Sequence, residues 1–271
     1  MNFSNSNLPT SVAIVFGFLL MLLLPFDKVF AIFNLGDYQE DGLGDILSNI
    51  VIICYGYFLI RRFGYPKVSG VTNLKPKYPI LLVIPLYFII LNLLQYVLLG
   101  YEFNHIKFID VVILLGSMMT VGFSEEIIFR GFVLPNLIKG ITSDQSLFAP
   151  IFMGAMLFGV LHLLNLFQSD SHLWIVLSQV TYATTFGIAF GIVLLRSASL
   201  LPLAILHGLI NFSSNLANLP GAVEPPEVAE YKVYEGIIAV IVVLPFFSYS
   251  LYQFPKIDRS TILNLYEPSP K

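Results

Sequence analysis

The chain has 271 residues, 56% of them hydrophobic and only 11% charged, with a mean hydropathy of +0.81. A soluble domain carries roughly 25% charged residues, and a chain this apolar has too little polar surface to coat a water-soluble globule. Net charge is -3, so no global basic field points to nucleic acid as a partner. The expected solvent is the lipid bilayer. The expected fold class is all-α: a polytopic membrane helix bundle of about eight transmembrane helices, forming one integral membrane domain over 1-271. A lone cysteine, Cys54, has no internal disulfide partner and is read as lipid-facing or core filler.

The first ten residues hold no Lys or Arg and so lack the basic n-region of a secretory signal. The apolar stretch from Val12 is therefore expected to be a first, uncleaved span, and neither end shows a lipidation box. A helix needs about 20 residues to cross the hydrocarbon. Stretches near that length fall at 11–33, 46–60, 79–99, 108–138, 147–167, 173–195, 200–219 and 235–254. Asp27 and Lys28 interrupt the first and leave Val29 to Phe33 for the interface. The second is short, and the fourth is long and contains charges. In the sixth, Gly187 and Gly191 form a small-xxx-small pair that predicts a close helix contact. Loops are short, without repeats or flexible linkers.

With a cytoplasmic N-terminus, the cytoplasmic segments hold Arg61, Arg62, Lys67, Lys75, Lys77, Lys139, Arg196, Lys256, Arg259 and Lys271, and the outer loops only Lys28, Lys107 and Lys232. That is ten against three, with Arg130 inside a span, out of 14 in all. The positive-inside rule favours this orientation, with both termini cytoplasmic and an even number of spans. The outer loops are acidic: Asp37, Glu40, Asp41 and Asp45 in one, Glu224, Glu227 and Glu230 in another. They read as solvated loops.

Ionisable groups inside a span cost roughly 2.5–3.5 kcal/mol each on insertion scales. Here they collect in three spans: Glu125, Glu126 and Arg130 in SEEIIFRGF of the fourth, His162 in FGVLH of the fifth, and His207 with Asn211 in HGLIN of the seventh. Glu126 and Arg130 are four apart and share a face, in the favourable order for pairing. Phe158 and His162 share a face, as do His207 and Asn211. Glu125 and Glu126 are about 100° apart, so one can pair with Arg130 while the other faces a cavity. Singly, each has a plainer reading: a satisfied core histidine, a structural ion pair, interhelical glue at Asn211, core packing at Phe158. Together, a carboxylate, two imidazoles and an amide form an inventory for activating water and holding an oxyanion. Their depths converge on a site within the membrane, expected toward the cytoplasmic side.

These residues resemble the intramembrane glutamic endopeptidases of the CPBP/ABI family, the type II CAAX prenyl endopeptidases. The family's EExxxR is matched by Glu125, Glu126 and Arg130, its FxxxH by Phe158 and His162, and its HxxxN by His207 and Asn211. The resemblance covers about Phe108 to Asn215, within a protease core of about 108–219. It implies that Glu125 is the general base, that His162 holds the same water, and that His207 and Asn211 form the oxyanion hole. Glu126 and Arg130 would support the site, in a bundle of eight helices with a cavity open to the cytosol and partly to lipid. It implies a peptide or prenylated protein as substrate, either a CAAX tail or a leader peptide. No cofactor is expected. Zinc on Glu125, His162 and His207 is the rival metal reading, disfavoured because no HExxH is present. The rival without chemistry is a membrane scaffold, immunity factor or regulator. A transporter is disfavoured by the lack of an inverted repeat. Oligomeric state has no signature in the sequence.

Overall fold

A computed structural model describes residues 7–141, 145–167, 172–225 and 232–266. Both chain ends, Glu227 and Glu230 of the second acidic loop, and Lys271 lie outside the described residues. Apolar runs and helix breakers set the elements. Helix α1 (Leu8–Leu22) has proline in its first turn and ends ahead of Pro25. Two 3-10 turns follow at Phe26–Val29 and Ala31–Phe33, bent 42° from α1, so the chain turns at the Asp27–Lys28 interruption.

Helix α2 (Asp37–Arg62) is much longer than the short span expected. Asp37 and Glu40 lie in its first turn, where carboxylates meet the positive end of the helix dipole. The first acidic segment is thus helix rather than loop. Helices α3 (Ile80–Val83) and α4 (Leu86–Leu99) are separated at Pro85, and α4 stops at Gly100, whose φ of 79° is left-handed. Helix α5 (Phe108–Glu126), a π-helical stretch (Ile127–Val133) and α6 (Leu134–Lys139) make one 32-residue span. The remaining helices are α7 (Phe148–Leu161), which runs into a 3-10 turn (His162–Phe167), α8 (Leu173–Ser197), α9 (Leu201–Ser214), α10 (Lys232–Gln253) and α11 (Arg259–Asn264).

Among the described residues, six helices are long and apolar enough to cross a membrane, and seven if the bent α1 pair counts as one. Helix α9, at 14 residues, is a shorter apolar helix. With it, every expected span corresponds to a helix of the bundle.

The connections separate into two ends. At one, Asn73 donates to the Ala198 carbonyl, Lys77 N–H to Ser197, Arg196 to the Lys256 carbonyl and Tyr266 to Pro135. At the other, Gln39 donates to Asp110, Tyr101 to Glu224, and Glu102 pairs with Val223 in an isolated antiparallel bridge. Arg61, Lys75, Lys139 and Arg259 belong to the first end; Asp37, Glu40 and Asp110 belong to the second. The tightest core lies toward the basic end: Phe132, Leu137, Ile192, Val193, Leu203 and Phe246 are fully buried. There α7 and α8 close on each other through small residues. A Cβ on Gly187 would stand 2.9 Å from Ala155 Cβ, and one on Gly191 3.2 Å from Ile151 Cγ2. The close contact predicted from that glycine pair is present.

Candidate active site

The site begins with a backbone contact between α5 and α9. A Cβ on Gly122 would lie 2.5 Å from the Gly208 nitrogen, and one on Gly208 would lie 2.8 Å from Met119 Cα. Neither position has room for a side chain, so the two helices approach backbone to backbone there, one turn before Glu125 and Glu126 and beside His207. Immediately after Glu126 the helix widens into its π-helical turns, all seven residues of which are buried. Such turns are rare and occur frequently at functional sites. The sequence pattern, read as continuous α-helix, gave no sign of them.

Glu126 is fully buried. Its Oε1 stands 2.9 Å from Arg130 Nη1 and 2.8 Å from His207 Nδ1. A carboxylate accepts, so His207 Nδ1 carries a proton and donates it. The Arg130 guanidinium sits 4.5 Å over the Phe158 ring, a cation–π contact suited to a buried charge. On the opposite edge of the imidazole, His207 Nε2 lies 3.4 Å from Glu125 Oε2. That is longer than a well-formed N–H···O bond, so the two groups face each other without being locked together. His207 is thus bracketed by both glutamates.

Where α7 ends, His162 Nδ1 lies 3.2 Å from the Phe158 carbonyl oxygen. A carbonyl also accepts only, so the Nδ1 proton is committed there and Nε2 of the neutral ring keeps its lone pair. The Phe158 ring packs edge-on against both imidazoles, 5.1 Å from His162 and 6.2 Å from His207.

Glu125, Phe158, His162, His207 and Asn211 line one cavity of about 380 Å³, with Glu126 and Arg130 behind its wall. The structure therefore brings every sequence-predicted site residue to one place. Glu125 lies near the middle of its 32-residue span and His207 near the middle of α9, and the lining extends to Met118, Gln179, Ser214 and Asn215 toward the acidic end and to Phe88 toward the basic end.

Two lining residues escaped the sequence reading. Tyr182 is hydrogen-bonded by Gln179 and lies within electrostatic reach of Glu125; Gln179 Oε1 accepts from Asn165 at 2.7 Å. Their signal was available: Gln179 and Tyr182 are three apart and share a face of an otherwise apolar span. Among the described residues, no group of three or more His, Cys, Asp or Glu is arranged to hold a metal ion.

No curated protein matches the chain. Residues 107–213 match the family model described as type II CAAX prenyl endopeptidase Rce1-like. That segment runs from just before α5 nearly to the end of α9, and so includes each helix that carries a predicted site residue. Several long apolar helices around such a domain make this an integral membrane protein. Over residues 107–213 the chain is thus similar to the Rce1-like family of type II CAAX prenyl endopeptidases.

Proposed function

We propose that the chain is an intramembrane endopeptidase that hydrolyses peptide bonds with a glutamate-activated water. The observation that carries this reading is the convergence of Glu125, His162, His207 and Asn211 on one cavity, with Glu125 Oε2 3.4 Å from His207 Nε2. In this reading the Glu125 carboxylate takes one proton of a water, while His162 Nε2 accepts a hydrogen bond from its other hydrogen. The water oxygen adds to the scissile carbonyl carbon. The resulting oxyanion is received by the Asn211 amide and by the Nε2 proton of His207 in its doubly protonated imidazolium form, whose Nδ1 proton is held by Glu126. Glu125 then passes its proton to the amide nitrogen as the C–N bond breaks, leaving a free amine and a carboxylic acid. No metal takes part.

The substrate is a peptide or prenylated protein at the membrane, either a CAAX tail or a leader peptide. The charge count adds that the basic end and both termini face the cytoplasm. The test uses purified protein with a fluorogenic farnesylated CAAX peptide, its unprenylated twin and a leader-type peptide. Wild type is expected to cleave at least one of them, at a rate unchanged by a chelator. Glu125→Gln is expected to lower kcat by about 10²–10⁴. Wild-type rates in Glu125→Gln would overturn the assignment and favour a non-catalytic membrane factor.

A further inference from the structure

A second cavity, of about 380 Å³, lies at the acidic end, between the turn that follows α1 and the first half of α2. Leu22, Leu24 and Phe26 form one side, and Asp27, Asp41, Asp45 and Ser48 the other. Asp41, Asp45 and Ser48 are spaced by four and three, so they share one face of α2. Backbone contact holds Asp27 beside that face: a Cβ on Gly44 would stand 2.6 Å from the Asp27 nitrogen. Helix α5 separates this cavity from that of Glu125. Its Ser117 donates to Asp45 Oδ2 at 3.4 Å, while Met118 lines the other cavity.

Three carboxylates meet here, and none of the described lining residues is basic. Lys28 pairs with Asp27 at 3.2 Å, but from outside the cavity, with a side chain that is 77% exposed. Like charges four apart on a helix repel, and Asp27 adds a third. Ser48 is 6% exposed, and its Oγ has no hydrogen-bond partner among the described residues. Buried hydroxyls are nearly always paired, so this one marks the place of a partner that the fold does not itself supply. Both features call for a positively charged hydrogen-bond donor. Among the described residues, no three carboxylates are arranged to hold one metal ion. A primary ammonium carries three N–H donors and can reach separate acceptors.

We propose that this cavity binds a primary ammonium at the membrane surface, supplied by an aminophospholipid headgroup or by a soluble amine. The surroundings favour the lipid. Leu22 and Leu24 are exposed beside the carboxylates and offer apolar surface to the glycerol and acyl portion. The exposed Lys28 ammonium, next to Asp27, is placed to meet the phosphate. A bound headgroup ties the turn after α1 to α2, because Asp27 comes from one and Asp41 and Asp45 from the other.

Thermal unfolding of the full chain in nanodiscs tests this. Wild type in equal parts of phosphatidylethanolamine and phosphatidylcholine is expected to melt about 5 °C above wild type in phosphatidylcholine alone, whose quaternary headgroup has no N–H to donate. Asp41→Asn combined with Asp45→Asn should abolish the difference. Ser48→Ala should reduce it, and gives the same reading where the double variant does not fold. Ethanolamine added to the phosphatidylcholine discs examines the other source: a rise there that the variants lose supports the site and assigns it to soluble amines. Equal melting of wild type in both lipids, with no response to ethanolamine, overturns the proposal. So does a phosphatidylethanolamine effect of full size in the variants, which would belong to the bilayer as a whole, or a rise with magnesium chloride alone.

Discussion

Two adjacent glutamates meet different surroundings because a helix turns about 100° per residue. Glu126 points into protein, and an uncompensated carboxylate there would be prohibitively costly. Arg130 and His207 share its Oε1 and compensate it. Glu125 lines the cavity instead. Between them, His207 is oriented by one and faces the other, so its position reports on both. Tyr182 adds a hydroxyl to the same space. If its O–H supports the developing oxyanion, Tyr182→Phe should lower kcat by about 10², the loss typical of one oxyanion donor, with KM little changed. Steady-state kinetics beside a thermal melt would separate this from misfolding. An unchanged kcat would reduce Tyr182 to a packing role.

At the scale of elements, the site depends on how closely α5 and α9 approach. A Cβ on Gly208 meets Met119 Sδ at 2.7 Å and Met119 Cα at 2.8 Å, and backbone cannot yield as a flexible side chain can. Gly208→Ala should therefore push the helices apart. Overpacking of this kind costs about 1–3 kcal/mol, and the larger effect should be on rate, since a small displacement separates His207 from both glutamates. Activity falling much further than the melting temperature would support this, whereas parallel losses would mean general destabilisation. The π-helical turns after Glu126 belong to the same scale. They sit where α5 passes from the cavity into the packed core, and no residue type in IIFRGFV announces them.

Over the whole molecule, one buried amide ties distant parts of the bundle. Asn136 of α6 donates to Ser11 of α1 and to the Asn7 carbonyl, and it accepts from the Tyr65 hydroxyl beyond α2 at 2.8 Å. Asn136→Ala should cost about 1–3 kcal/mol for each group left buried without a partner, read as a lowered melting temperature in detergent. Burial pushes the Tyr65 hydroxyl up to about 12 from its ordinary 10.0. Because the folded-state value is the higher one, this contribution is complete below about pH 10 and is lost as pH rises through about 12. Because burial rather than the Asn136 amide is the cause, the variant should keep that alkaline dependence, and its loss would show that the amide sets it.

The helical membrane class, the succession of spans and the polar set Glu125, His162, His207 and Asn211 that the fold brings to one cavity were legible in the sequence. Hydrophobic length and the cost of a charge in lipid act on each segment separately, and both leave their mark in local order. The glycine pair of α8 was legible for the same reason. The length of α2 was not, because its acidic first turns resemble a solvated loop until the helix dipole and the packing of α5 against it are present. Nor were the Gly122–Gly208 contact and the bracketing of His207 by two glutamates. Each depends on where two helices cross, and a crossing point is set by side chains from both partners packing at once, information that no single stretch of sequence contains.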